Sequence, residues 1–280
     1  MKPTPRQIIG QVASSVFAAM SSMRPWRGGL HTPVTRTTFL RKVQADGSIL
    51  EIGPFNNPKF KGPSVSYFDI LDRKGLIERA RTLGLDSSQC PDINYVSPTA
   101  DLSSINGVFD TIFSSHCIEH QPDLVKHLAQ VESLLAPGGS YYLIVPDKRY
   151  CFDHYIGESK LPDVYAAASE RRRVHTEASI LRHQLFTTHN RALRHWLEWH
   201  GPKPSTSTYI DRMANAFAEC AQAKAGAYID VHAWFFTPAG FSDVIKALKR
   251  MNLITLEATR IHDTLLSQFE FFAVLQKPVI

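Results

Sequence analysis

Several side chains able to bind a ligand or move a proton stand just past short apolar runs of this chain. Asp69 lies near the end of "VSYFDI". Ser115, His116 and His120 follow "FDTIF", and Asp147 follows "YYLIVP", with His154 further on in "CFDHY". A carboxylate that closes an apolar strand is costly without a donor, so Asp69 is expected to face one. Imidazoles titrate near neutral pH, which makes His116, His120 and His154 candidate proton acceptors beside Asp147. Upstream, "SILEIG" breaks at Gly53, and a glycine there lets backbone approach a ligand closely.

Such residues need a scaffold that brings strand ends together. From residue 48 the pattern alternates strand and helix: "SILEIG", "VSYFDI", "INYV", "FDTIFSSH" and "SYYLIVP" as strands, "GLIERARTLG" and "PDLVKHLAQVESLLAPGG" as helices. The second helix carries Leu124, Val125, Leu128, Val131, Leu134 and Leu135 on one side and is expected to stop at Gly138 and Gly139. Apolar strands separated by helices predict a parallel sheet covered on both faces, with ligands outside the carboxyl ends of its strands. Gly53, Asp69, Asp101, Ser115 and Pro146 all fall at or just past such ends.

Four segments follow from this reading: residues 1–47 as an N-terminal helix and loop packed on the core, 48–150 as a cofactor-binding half, 151–232 as a helical insertion capping the substrate, and 233–280 as the end of the sheet. Thr237 and Pro238 mark an N-cap and first turn. "LITLEATRI" and "FEFFAVLQK", joined by a short turn, should be antiparallel neighbours. The predicted fold class is α/β: a doubly wound, mostly parallel seven-stranded sheet with an antiparallel last strand.

Composition excludes several classes. The net charge of +5 is dispersed, and its densest cluster, Arg171 to Arg173, reads as a solvated helix face, so nucleic acid is not an expected partner. No run of about 18 apolar residues predicts a membrane span. "IIGQVASSVFAAM" places Ile8, Ile9, Val12, Val16, Phe17 and Met20 on one helical face, an amphipathic helix rather than a leader. The four cysteines lack any C-x-x-C pair and read as reduced thiols of a cytoplasmic protein.

Histidines 175, 183, 189, 195 and 200 lack the i, i+4 spacing of helical metal ligands, and no metal is expected from them. Trp196, Trp199 and Trp234 read as core or cap aromatics, with a substrate cage as the alternative.

Gly53 is followed by Pro54, Phe55, Asn56, Asn57 and Pro58, so the later glycines of a dinucleotide-binding loop are absent and bulky side chains stand where a pyrophosphate needs room. Only residues 54 to 64 separate the first two strands, which predicts a crossover helix of one turn or none. A phosphate-free ligand is less demanding.

"LEIG", "YFD", "AD" at 100–101, "FDTIFSSHCIEHQPD" and "LLAPGGSYYLIVPD", in this order, resemble the motifs of class I S-adenosylmethionine-dependent methyltransferases over residues 48 to about 150. The resemblance implies a cofactor, S-adenosyl-L-methionine, and a site for it. Glu51, Gly53, Pro54 and Phe55 would lie by its methionine part, and Asp69 with Ile70 by its ribose. Ala100, Asp101 and Leu102 would meet the adenine, and Ser115 and His116 the sulfonium. Glu51 as a strand-end residue and Asp101 as a turn cap stay open as alternatives. The implied catalytic candidates are His116, His120, Asp147 and His154. The implied reaction is methyl transfer to an oxygen or nitrogen of a small molecule or glycan. The alternative is a degenerate methyltransferase-like binding module without turnover.

Overall fold

The computed structural model describes residues 33–43 and 47–279. The amphipathic helix expected at residues 8–20 lies outside the described residues. A helix not foreseen, α1 (Arg36–Val43), buries only Phe39 and Val43, one turn apart. Its mostly polar sequence hides it from a periodicity search.

Seven strands follow: β1 (Ile49–Ile52), β2 (Val65–Asp69), β3 (Tyr95–Val96), β4 (Phe109–Ser115), β5 (Leu135–Pro146), β6 (Glu257–His262) and β7 (Glu270–Gln276). They form one sheet in the order β3-β2-β1-β4-β5-β7-β6. The pairs from β3 across to β5 are parallel, and β7 runs antiparallel to both β5 and β6. This is the expected sheet, and β6 and β7 are the expected antiparallel neighbours.

Helices α2 (Arg73–Thr82), α3 (Leu124–Leu134) and α8 (Pro238–Arg250) flank the sheet. The stretch between β5 and α8 holds α4 (Leu161–Ser169), α5 (Glu177–Phe186), α6 (Ala192–Trp196) and α7 (Thr206–Lys224). The main core, built from α3, α8 and the sheet, includes Leu128, Val131, Tyr141, Leu143, Phe241 and Phe271. Burial of such large apolar side chains is the main stabilising term, on the order of 1.5–3 kcal/mol each. Phe39, Phe60, Phe113 and Phe272 form a second core beneath α1.

Two expectations need correction. Helix α3 ends at Leu134, before the glycines, because β5 begins at once. Gly139 lies within β5, where an added Cβ would come within 2.9 Å of Ala136 O and 3.0 Å of Asp110 O. Arg171 to Arg173 lie beyond the end of α4 rather than on its face. The absent crossover helix was foreseen: residues 53–64 connect β1 to β2 by turns alone. Among the described residues, no helix is long and apolar enough to cross a membrane.

Candidate active site

The strand order reverses between β1 and β4, so their carboxyl ends open a crevice. Gly53 sits there with φ +71°, a conformation glycine adopts without strain. Its open face is filled by the thiol of Cys117, which donates to Ile52 O at 3.4 Å and to Ser115 O at 3.3 Å. Glu51 is buried, and its carboxylate accepts the backbone N–H groups of Lys59 and Phe60 at 2.9 to 3.1 Å. It therefore ties down the connecting segment and is not a solvated strand-end residue. Pro54 is buried behind it, and Phe55, at φ +47°, lies under the Arg79 guanidinium at 5.5 Å.

Asp69 closes β2. Its Oδ1 accepts from Ile70 N at 2.7 Å and Leu71 N at 3.4 Å, and among the described residues no side chain donates to it. Burial pushes its carboxyl above the usual carboxylate range despite the nearby backbone amides and Arg79. Its Oδ2 accepts no hydrogen bond from the described residues.

Asp101 differs. It caps a short 3₁₀ turn by accepting from Ser103 N at 2.9 Å, and it also takes Lys126 Nζ and Gln130 Nε2, each at 2.6 Å. Burial opposes its charge, but these donors outweigh it and hold the carboxyl well below its usual value. Ala100 and Asp101 border a cleft of about 180 Å³ with Lys126, Gln130 and Arg172. Leu102, in contrast, is sealed in the main core and offers no face to a ring.

A chain of charged groups runs along the end of β4. Arg36 on α1 donates to Glu270 Oε2 at 2.6 Å and to Ser115 Oγ at 2.9 Å. His116 Nε2 meets the same Glu270 oxygen at 3.0 Å, and its Nδ1 lies 3.5 Å from Glu119 Oε1. Burial alone would lower the His116 pKa, but the two carboxylates outweigh it and raise it to about 9.

His116 and His120 share a cavity of about 320 Å³ with Phe152, His183, Asp230 and His232. His120 is pushed below the usual histidine range by burial and by His232. Two backbone hydrogen bonds hold the far wall: Ala233 N and Trp234 N donate to Glu119 O at 2.7 and 3.1 Å.

The other two expected bases do not line this cavity. Asp147 is fully buried and bound to Arg149 through both oxygens, with the Thr264 hydroxyl donating at 2.7 Å. It secures the turn after β5. His154 pairs its Nδ1 with Arg149 O at 2.9 Å and stacks on His200 at 3.6 Å. Trp196 stacks on Tyr150 at 3.9 Å, and Trp234 donates to Gln121 O at 2.6 Å; both are buried. Sequence reasoning missed Arg36, Glu119, Asp230, His232 and Glu270. Glu119 alone carried a signal, as a neighbour of His120 in "IEH".

A seven-stranded sheet with β7 reversed, an acid closing β2 and a histidine-lined cavity at the end of β4 define a class I S-adenosylmethionine-dependent methyltransferase. The chain belongs to the family described as "Methyltransferase domain", whose pattern matches residues 35–206. Among curated protein sequences, none matches it. Solved structures similar to it include an S-adenosylmethionine-dependent methyltransferase from Mesorhizobium loti, 15% identical, covering 85% of this chain and 95% of that one, TM-score 0.40. Another is the 1,6-didemethyltoxoflavin-N1-methyltransferase of Burkholderia thailandensis with S-adenosylhomocysteine bound, 11% identical, covering 99% and 92%, TM-score 0.41.

The residues present fit the cofactor at its ribose: Asp69 is a buried carboxylate with no side-chain donor of its own. The cofactor supplies a methyl group activated on a sulfonium. The protein's task is to hold the acceptor in line with that carbon and manage its proton.

Proposed function

We propose that this protein methylates an oxygen or nitrogen of a small molecule or glycan held in the cavity beside His116. The observation that carries the reading is the position of that cavity. It adjoins the end of β4, one residue from Cys117 and hence from Gly53, and its wall combines the sheet with insertion residues Phe152, His183, Asp230 and His232. In this reading the block of residues 151–232 sets acceptor choice. Asp69 receives the cofactor ribose, and Ala100 and Asp101 border the adenine. Arg36 and Lys59 supply positive charge for the methionine carboxylate, a task that a crossover helix N-terminus would otherwise perform. His116 holds a proton at neutral pH, so it stabilises negative charge rather than accepting a proton.

A second reading, a binding module without turnover, is favoured by one feature: the missing helix and bulky Phe55 after Gly53. Titration calorimetry with S-adenosylhomocysteine, followed by methyl transfer from labelled cofactor to a panel of small hydroxylated and amino acceptors and glycans, separates the two. Binding with transfer supports the enzyme. Binding without transfer to any acceptor supports the module, and no binding at millimolar ligand removes the enzyme reading.

A further inference from the structure

We propose that Glu119, His120 and His232 form a binding site for one divalent transition-metal ion of the zinc class. Glu119 is fully buried, and neither carboxylate oxygen has a hydrogen-bond partner among the described residues. The His116 imidazole, 3.5 Å from Oε1, supplies compensating charge but no hydrogen bond, so both carboxylate oxygens remain without a donor, which is costly for a buried carboxylate. The groups nearest to Oε1 are imidazole nitrogens: His116 Nδ1 at 3.5 Å, His120 Nε2 at 3.9 Å and His232 Nε2 at 4.0 Å. The last two distances are too long for hydrogen bonds. They suit ligands arranged around an ion: zinc takes nitrogen and oxygen at about 2.0–2.2 Å, which places tetrahedral ligand atoms about 3.4 Å apart. Glu119, His120 and His232 each present a ligand atom, all within 4.8 Å of one another.

The outer nitrogens of both histidines face carboxylates. His232 Nδ1 donates to Asp153 Oδ2 at 2.7 Å, and its Nε2 is turned toward Glu119 Oε1 at 4.0 Å. His120 Nδ1 lies 3.2 Å from Asp230 Oδ1, without hydrogen-bond alignment. Carboxylates behind ligating histidines fix the tautomer and raise ligand basicity, the usual surroundings of a bound metal. The clamp of Ala233 and Trp234 on Glu119 O holds His232 in register with its partners. His120 and His232 are 112 residues apart in the chain, so no spacing motif could show the pair.

The other histidine cluster makes a useful contrast. His154, His195 and His200 also converge, but their nitrogens are engaged by Arg149 O, His189 O, Glu198 and each other. Nothing there is left orphaned at the centre. In the proposed site three protein ligands leave a fourth position, and it opens on the cavity that holds the acceptor. Binding of an acceptor oxygen there rests on the methyl-transfer reading; the metal site itself does not.

The test uses the full, untagged chain, stripped with a chelator and then equilibrated with Zn²⁺ or Co²⁺. We expect one tightly held zinc per chain by elemental mass spectrometry after gel filtration, a raised Tm, and a cobalt absorption band of tetrahedral type. His232→Ala and Glu119→Gln should lose the ion. Asp153→Asn, which removes no ligand, should weaken zinc affinity by about 10–100-fold with the fold intact by circular dichroism. His154→Ala should keep full occupancy. Equal zinc retention by the wild type and Asp153→Asn, loss only in His154→Ala, or no zinc above background in the folded wild type would each overturn the site. Cofactor binding is read separately by calorimetry, so loss of the methyl-transfer reading leaves the zinc result standing.

Discussion

Glu51 on β1 holds the backbone of Lys59, with Oε1 and Oε2 accepting its N–H at 2.9 and 3.0 Å. Through that contact one carboxylate replaces a crossover helix as the anchor of the segment leading to β2. Burial pushes its pKa up from 4.5 to about 7, and the Lys59 and Phe60 amides offset only part of the effect. The folded state therefore holds the Glu51 proton more tightly than the unfolded chain does. The resulting stability is complete below the unfolded pKa and is lost as pH rises through about 7. At about 1.4 kcal/mol per pH unit the shift corresponds to roughly 3 kcal/mol. Glu51→Gln keeps an acceptor for the two amides and cannot titrate. Urea unfolding between about pH 4 and pH 8 should show the wild type losing roughly 3 kcal/mol more than the variant. Parallel profiles would remove Glu51 as the source.

Asp69 and Asp72 sit three residues apart and do different work. Asp72 caps α2 by accepting from Gly75 N at 2.8 Å, whereas Asp69 has only its own following amides. If the cofactor ribose donates to Asp69, each charge-assisted bond is worth about 1.5–3 kcal/mol. Asp69→Asn should then weaken S-adenosylhomocysteine binding on the order of tenfold to several hundredfold, with little change in stability. Asp72→Ala should cost about 1 kcal/mol of stability and leave affinity intact. Calorimetry that finds equal losses in both variants would place the ribose elsewhere.

The pair α5 and α7 rests on a small core of its own, made of Ile180, Cys220, Ala223, Ile229 and Val231. A satellite core of this size opens at lower free energy than the central sheet. Native-state hydrogen exchange should be faster at Ala216 and Cys220 than at Ile112 and Phe113 of β4. Ile180→Ala should destabilise the pair by about 2–4 kcal/mol. If both regions exchange at one common rate, the insertion and sheet unfold as a unit.

Much of the sheet was legible because β1, β2, β4 and β5 are apolar runs followed or closed by a glycine, an acid or a histidine: Gly53, Asp69, His116 and Asp147. The missing crossover helix was legible too, since eleven residues with three prolines cannot hold a long one. What escaped depends on pairing between distant parts. Asp101 and Asp147 looked like open carboxylates, yet Lys126, Gln130, Arg149 and Thr264 occupy them in the fold. Glu119 looked like a local companion of His120, and only the return of the chain at Ala233 brings His232 beside it. Helix α1 escaped because two buried side chains in eight residues make too faint a stripe.

Gly53 is the residue on which a ligand-binding role and a packing role collide. Its φ of +71° disfavours any other residue by about 1–2 kcal/mol. A Cβ there would also run into Cys117 Sγ, and overpacking of this kind adds typically about 1–3 kcal/mol. Gly53→Ala should therefore cost roughly 2–5 kcal/mol in urea unfolding. Removing the sulfur in Cys117→Ala leaves the Cys117 Cβ as the nearest atom, at an ordinary 3.9 Å. The double variant should then recover the clash but not the backbone strain, giving a coupling of about 1–3 kcal/mol. Additive losses would mean that the thiol moves aside at no cost. If stability losses add and S-adenosylhomocysteine affinity still falls in Gly53→Ala, the glycine is kept for the cofactor and not for the thiol.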